Sequence, residues 1–276
     1  MSARRTDLST KSFTIESLDL IAQIRSDDLQ LTNTLVDARG ASRYEVQVQT
    51  KRSGTLNFTI QNTTSGATAA DYIPRSNLSV TALTAGGYDF LDHWKSFTLS
   101  LTNSTADGSG GRDAFTFANY VGGSALELTV DAQVPVAELQ YDQVVDMLSA
   151  TATDRVKAMS VNLGSGQAIS GDAVLASVGI GFQRGSIMMV PHTYRWSGLP
   201  VITGTVTTGA TALISKALTG TASDSLFDLV HDTGAGIITI ADARVQSLTV
   251  TVNDSDIQTI SGVLALAGAP TFTAST

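Results

Sequence analysis

Apolar and polar residues alternate with a period of two along much of this chain. Tyr44, Val46 and Val48 are interleaved with Glu45, Gln47 and Gln49, and Leu56, Phe58 and Ile60 with Asn57, Thr59 and Gln61. The same rhythm runs through Phe97, Leu99 and Leu101 against Thr98, Ser100 and Thr102, and through Leu126, Leu128 and Val130 against Glu127, Thr129 and Asp131. It returns late, where Leu248, Val250 and Val252 alternate with Thr249, Thr251 and Asn253. Successive side chains of a strand point to opposite faces, so each segment predicts a strand with one apolar and one small polar face. Sheets with one wet face are usually antiparallel.

Helical spacing is scarce. Tyr141, Val144, Val145 and Leu148 share one face of a helix predicted over Glu138–Ala150, with Pro135 just upstream, where helix entry tolerates it. Leu226, Phe227 and Val230 make a weaker pattern, predicting a second short helix over Ser223–Asp232 capped by Ser223 or Asp224. Leu18–Leu31 fits either a helix or a strand, with strand the favoured reading. Gly86-Gly87, Gly164-Ser165-Gly166 and Gly234-Ala235-Gly236 predict turns, Ser104–Asp113 a loop between strands, and Val190–Tyr194, with Pro191 at its second position, a turn.

The fold expected is all-β, with β-sandwich or barrel-forming sheets and one or two short helices. Two segments look alike: Lys95–Asn103 (KSFTLSLTN) and Gln246–Asn253 (QSLTVTVN), with Lys157–Leu163 a looser relative. Repeats of this kind redefine a fold, and the division they suggest is a β domain with a long hairpin over residues 1–137 and a second, duplicated β domain over residues 138–276. Alternating Thr and Leu is also what strand chemistry produces without common ancestry. Both readings stand at this point.

Composition narrows the function classes. Charged residues make up 15% of the 276, against about 25% in ordinary soluble proteins. Such a surface draws its solubility from Thr, Ser and Gly, or is covered by partners. The formal charge of −8 argues against gripping nucleic acid over a whole surface, which needs clustered Lys and Arg. The basic residues lean toward the N-terminal part (Arg4, Arg5, Lys11, Arg25, Arg39, Arg43, Lys51, Arg52), where ion pairing with a neighbouring subunit or plain solvation is the favoured reading over nucleic-acid binding. The absence of cysteine excludes disulfides and thiolate zinc sites. His93, His192 and His231 form no metal-binding spacing, there is no nucleophile elbow and no phosphate loop, and Asp27-Asp28 and Asn253–Asp256 read as turn residues before calcium ligands. Trp94 and Trp196 read as core or interface anchors. No apolar segment follows the basic start and no stretch is long enough to span a bilayer. The expectation is a chain without catalytic, cofactor or metal site and without a membrane segment, which is not an enzyme.

Trp94–Asp131 resembles the central hairpin of the bacteriophage tail tube protein family. There a strand of the form Ser96-Phe97-Thr98-Leu99-Ser100-Leu101-Thr102-Asn103 leads through a Gly-rich loop to a second strand, here Ser124–Val130. The second half of the chain departs from that pattern. The resemblance implies a β-sandwich with a flanking helix, whose strands join those of other copies into a barrel around a channel. It implies partners that are copies of itself, in stacked rings as trimers or hexamers, and other virion proteins. DNA would pass through without specific binding, and the protein would reside in the virion after synthesis in the host cytoplasm. The subunit-interface candidates are Trp94, Phe97, Leu99, Leu101, Leu126 and Leu128 on the hairpin, with Arg4 and Arg5 on the N-terminal arm. The alternatives are a capsid decoration or cement protein, and a carbohydrate-binding or adhesin-like module.

Overall fold

The computed structural model describes residues 12–15, 18–21, 24–37, 47–61, 82–109, 115, 118–133, 140–163, 168–180, 184–185, 187–204, 213, 217–218, 227–232, 236–253 and 257–274. In chain order the strands are β1 (Ser12–Ile15), β2 (Leu18–Asp19), β3 (Ile24–Asp37), β4 (Gln47–Gln61), β5 (Ala82–Ala85), β6 (Tyr88–Asp89), β7 (Trp94–Asp107) and β8 (Ala118–Gln133). Helix α1 (Gln140–Leu148) and a 3-10 turn (Ala152–Arg155) follow. Then come β9 (Val156–Asn162), β10 (Ala168–Val178), β11 (Met189–Trp196), β12 (Val201–Thr203), β13 (Leu229–Asp232), β14 (Gly236–Ile240), β15 (Ala243–Asn253), β16 (Thr259–Leu266) and β17 (Thr271–Ala274). The chain is all-β, with antiparallel sheets, and its described strands close no barrel.

One sheet runs β3-β4-β16-β15-β7-β8-β11-β10-β9-β5-β6, with β12 beside β10; a smaller one runs β17-β14-β13-β1-β2. The predicted alternation is what buries the core. Leu56, Phe58 and Ile60, Phe97, Leu99 and Leu101, Leu126, Leu128 and Val130, and Leu248, Val250 and Val252 all point inward, joined by Phe13, Ile15 and Leu20 of the smaller sheet in one cluster. His231 Nδ1 on β13 lies 2.8 Å from Asp27 Oδ2 on β3, a polar tie between the two sheets. Helix α1 docks through Gln143, whose Oε1 accepts a 2.9 Å hydrogen bond from the Tyr194 hydroxyl, and through Asp146, 2.5 Å from Lys157 Nζ.

Several expectations need correction. Leu229–Asp232, read as the end of a second helix, is strand β13; residues 223–226 lie outside the described residues. Val190–Tyr194, read as a turn, is the middle of β11. Pro191 is tolerated there because β10 stops beside it: its carbonyl accepts from Gly179 N–H at 2.9 Å, and no further strand residue of β10 follows to need the missing donor. The loop expected from Ser104 begins later, since β7 continues to Asp107 against Ala118. Tyr44–Val46 lie outside the described residues. The boundary at residue 137 does not part the sheet: β15 and β16, from the second half, sit between β4 and β7 of the first.

The ladders repeat about a local pseudo-twofold axis at the Leu99–Val250 pair. Ser96 faces Asn253, and Thr102 faces Ser247, at equal distances on either side. Moving outward, β7 pairs with β8 as β15 pairs with β16, β8 with β11 as β16 with β4, and β11 with β10 as β4 with β3. Further out, β9 joins β10 as β1 joins β2, β9 joins β5 as β1 joins β13, and β5 joins β6 as β13 joins β14. The irregularities repeat too. A bulge skips Lys95 in β7 and Gln246 in β15, and another skips Arg25 in β3 and Ala176 in β10. A bulge shifts side-chain phase by one residue. That is why burial passes from Trp94 to Phe97, and from Val245 to Leu248, instead of by twos.

Candidate assembly surface

The polar face of the large sheet is built from the residues that alternate with the core. Ser26, Thr59, Ser261, Thr249 and Ser100 are successive neighbours across β3, β4, β16, β15 and β7. Ser177, Thr193, Thr129, Thr98 and Thr251 form the pseudo-twofold mate of this row across β10, β11, β8, β7 and β15. None of these ten side chains is buried. Thr59 Oγ1 lies 3.2 Å from Ser261 Oγ, and its mate contact, Thr193 Oγ1 to Thr129 Oγ1, spans 3.5 Å. Charge on this face is sparse. Glu127 Oε2 accepts from Arg195 Nε at 2.7 Å, and Asp131 Oδ2 accepts from Ser96 Oγ at 3.1 Å. Short hydroxyls suit cross-strand pairing, and Ser26, Thr59, Thr249 and Ser261 line a shallow cavity of about 300 Å³ on this face.

Two hairpin arms extend past this sheet. β4 and β8 are 15 and 16 residues long, whereas their mates β11 and β16 have 8 each. The arms meet: Lys51 Nζ is 3.1 Å from Asp107 Oδ2 and 2.6 Å from Ser109 Oγ, and Arg52 makes a parallel bridge to Phe115. Hydrogen bonds from the Ser109 hydroxyl and N–H, then Lys51, hold the Asp107 carboxyl well below the usual carboxylate range. β3 ends the sheet. Its 14 residues, about 45 Å of strand, pair with β4 on one side and with no described strand on the other. Leu31 and Leu35 stand 58% and 54% exposed on it. Long edges of this kind recruit other strands unless protected by Pro, Lys or a cover.

The six apolar hairpin candidates lie elsewhere. Trp94, Phe97, Leu99, Leu101, Leu126 and Leu128 are all buried in the chain's own core; Arg4 and Arg5 lie outside the described residues. The exposed leucines of β3 were missed in the sequence. The signal was present, because Leu29, Leu31 and Leu35 sit in a strand whose opposite face is also polar. Among the described residues no group of His, Asp and Glu is placed to hold a metal ion. Asp27 is engaged by His231, and Asp28 accepts from Gln30 Nε2 at 2.6 Å. His192 is fully buried on β11 between Phe90, at 5.3 Å and edge-on, and the stacked ring of Tyr194 at 6.3 Å. Both ring nitrogens are buried, and a backbone hydrogen bond with Val190 and the charge of Asp131 offset that burial only in part. Burial pushes its pKa down to about 4, so the ring is neutral at pH 7. The same burial raises the Tyr194 hydroxyl far above its ordinary value. Both side chains belong to the core. No helix among the described residues is long and apolar enough to cross a membrane.

No protein-family model matches the chain, and no curated protein does. Among solved structures, a chain from the tail of an empty gene transfer agent particle with C6 symmetry is similar at 10% identity and a TM-score of 0.34, over 41% of this chain and 83% of that one. A chain from the virion of a native gene transfer agent particle is similar at 12% identity and a TM-score of 0.33, over 41% and 85%. Likenesses at this level carry no argument about function.

Proposed function

We propose that this protein is a self-assembling virion structural subunit, a tail tube protein whose copies join by their sheets around a channel for DNA. The observation that carries the reading is the asymmetry of the large sheet. Among the described residues one face is packed into the core, the other is a broad hydroxyl surface with few charges, and the sheet ends in a long strand with exposed leucines and no further described strand beside it. Edge strands completed by other copies would remove the unpaired backbone groups. A hydroxyl-lined wall with little charge offers phosphate no cationic grip, so a passing duplex would not stick. The chain's −8 balance is in keeping with such a wall. The role requires no catalytic group.

Negative-stain microscopy of concentrated protein tests this. Hollow cylinders of uniform diameter support a tube subunit. Small closed oligomers that bind expanded capsids would make it a decoration protein instead, and selective retention on a glycan array would favour an adhesin-like module.

A further inference from the structure

We infer that this chain is a tandem fusion of two copies of one seven-strand module, each chain filling two module positions of its assembly. The first copy is β1, β2 with β3, β4, β5, β6, β7 and β8; the second is β9, β10, β11, β13, β14, β15 and β16. Every ladder that joins two of these strands has a mate in the other copy, apart from β7–β15, which is its own mate. Antiparallel alternation explains a likeness between any two strands, but it does not predict bulges. A bulge is a one-residue insertion into a ladder. Two bulges recurring at mate positions, Lys95 with Gln246 and Arg25 with Ala176, mark a common template. The hydroxyl contact Thr59–Ser261 recurs as Thr193–Thr129.

The two copies are exchanged. Hairpin β3–β4 of the first copy pairs with β16 of the second, and hairpin β10–β11 of the second pairs with β8 of the first. The β7–β15 ladder therefore stands where two separate modules would meet edge to edge, and the fold contains a module–module contact already made. The copies have diverged where it matters least to this contact. Asn57 in the first copy lets β3–β4 run on past Asp28, while its mate Pro191 ends the second hairpin at Val178. The long arms belong to the first copy alone. Filling two positions rests on the assembly reading above; the duplication does not.

Exchanging the segments Ser96–Thr102 and Ser247–Asn253 within the full chain tests the duplication. A control chain receives the same segments displaced by two residues, which keeps the in–out alternation. The in-register chain is expected to unfold in one transition within roughly 5 °C of the parent, and the displaced chain to lose roughly 15 °C or more. Equal melting of the two, or equal failure to fold, would mean that mate positions hold no special relation and would overturn the duplication. For the assembly, end-on images of rings whose chain number is known from mass should show rotational power at twice that number. Power at the chain number alone overturns the two-position claim. If no ring forms, the assembly reading falls with it, and the exchange result still decides the duplication.

Discussion

Replacing His192 by Phe should flatten the acid side of the stability profile. His192 is fully buried, and its pKa falls from 6.5 to about 4 because burial outweighs the Val190 backbone hydrogen bond and the Asp131 charge. The unfolded chain therefore binds a proton between these values that the folded chain refuses. The stability tied to this group is full above pH 6.5 and is lost as pH falls toward 4. Those two pKa values give a loss of roughly 2 kcal/mol between pH 7.5 and pH 5. In a chain of this size that is roughly 5 °C of melting temperature. Phenylalanine is the natural replacement because the mate position holds Phe58, equally buried in its ladder. Urea unfolding at pH 7.5 and pH 5.0 should be measured at one dilution, low enough to avoid mass-action effects of association. The parent should lose about 2 kcal/mol more than His192→Phe over this interval. An identical pH dependence of the two proteins would refute it, whatever their absolute stabilities.

Further outcomes follow from the surface and the packing. Leu31→Asp with Leu35→Asp should abolish assembly in sedimentation velocity while leaving the melting temperature of the dilute protein nearly unchanged, because both side chains are exposed. Gly262→Val should destabilise by about 1–3 kcal/mol, since a Cβ there would sit 2.4 Å from Phe58 Cζ and 2.6 Å from its Cε1; thermal melts check this, and Phe58→Leu should restore part of the loss. Lys51→Met should speed amide exchange in the arms without moving the global melt, because its partners Asp107 and Ser109 anchor arm to arm. The Asp107 carboxyl is held far below the usual range, so stability from this contact is present above the unfolded carboxylate value and is lost only below it. Arm protection should thus be the same at pH 7 and pH 5, and a loss by pH 5 would count against it.

Much of the strand content was legible because alternation reports burial directly. The triplets Leu56–Ile60, Phe97–Leu101, Leu126–Val130 and Leu248–Val252 are all core, and the helix expected over Glu138–Ala150 is Gln140–Leu148. Pairing order was not legible, since hydrogen bonds join β15 to β7 across much of the chain and alternation carries no address. His192 was misjudged because Pro191 reads as a turn residue; only the end of β10 beside it makes Pro191 acceptable in a strand. The hairpin interface candidates erred for a related reason: an apolar strand face states that it will be covered, and here the chain covers it itself. The likeness of Lys95–Asn103 to Gln246–Asn253 sets Lys95 against Gln246, the two residues that the bulges skip. The third relative, Lys157–Leu163, overlaps β9, whose mate is β1 near the N-terminus instead of β7.

Hydrogen–deuterium exchange along β3 at low and high protein concentration addresses the main claim without intermediaries. If copies complete this edge, amides of Ser26–Asn33 that point away from β4 should exchange freely in dilute solution and become protected on concentration, while the β7–β15 ladder stays unchanged. Rapid exchange of those amides at every concentration would mean that the edge takes no strand from another copy.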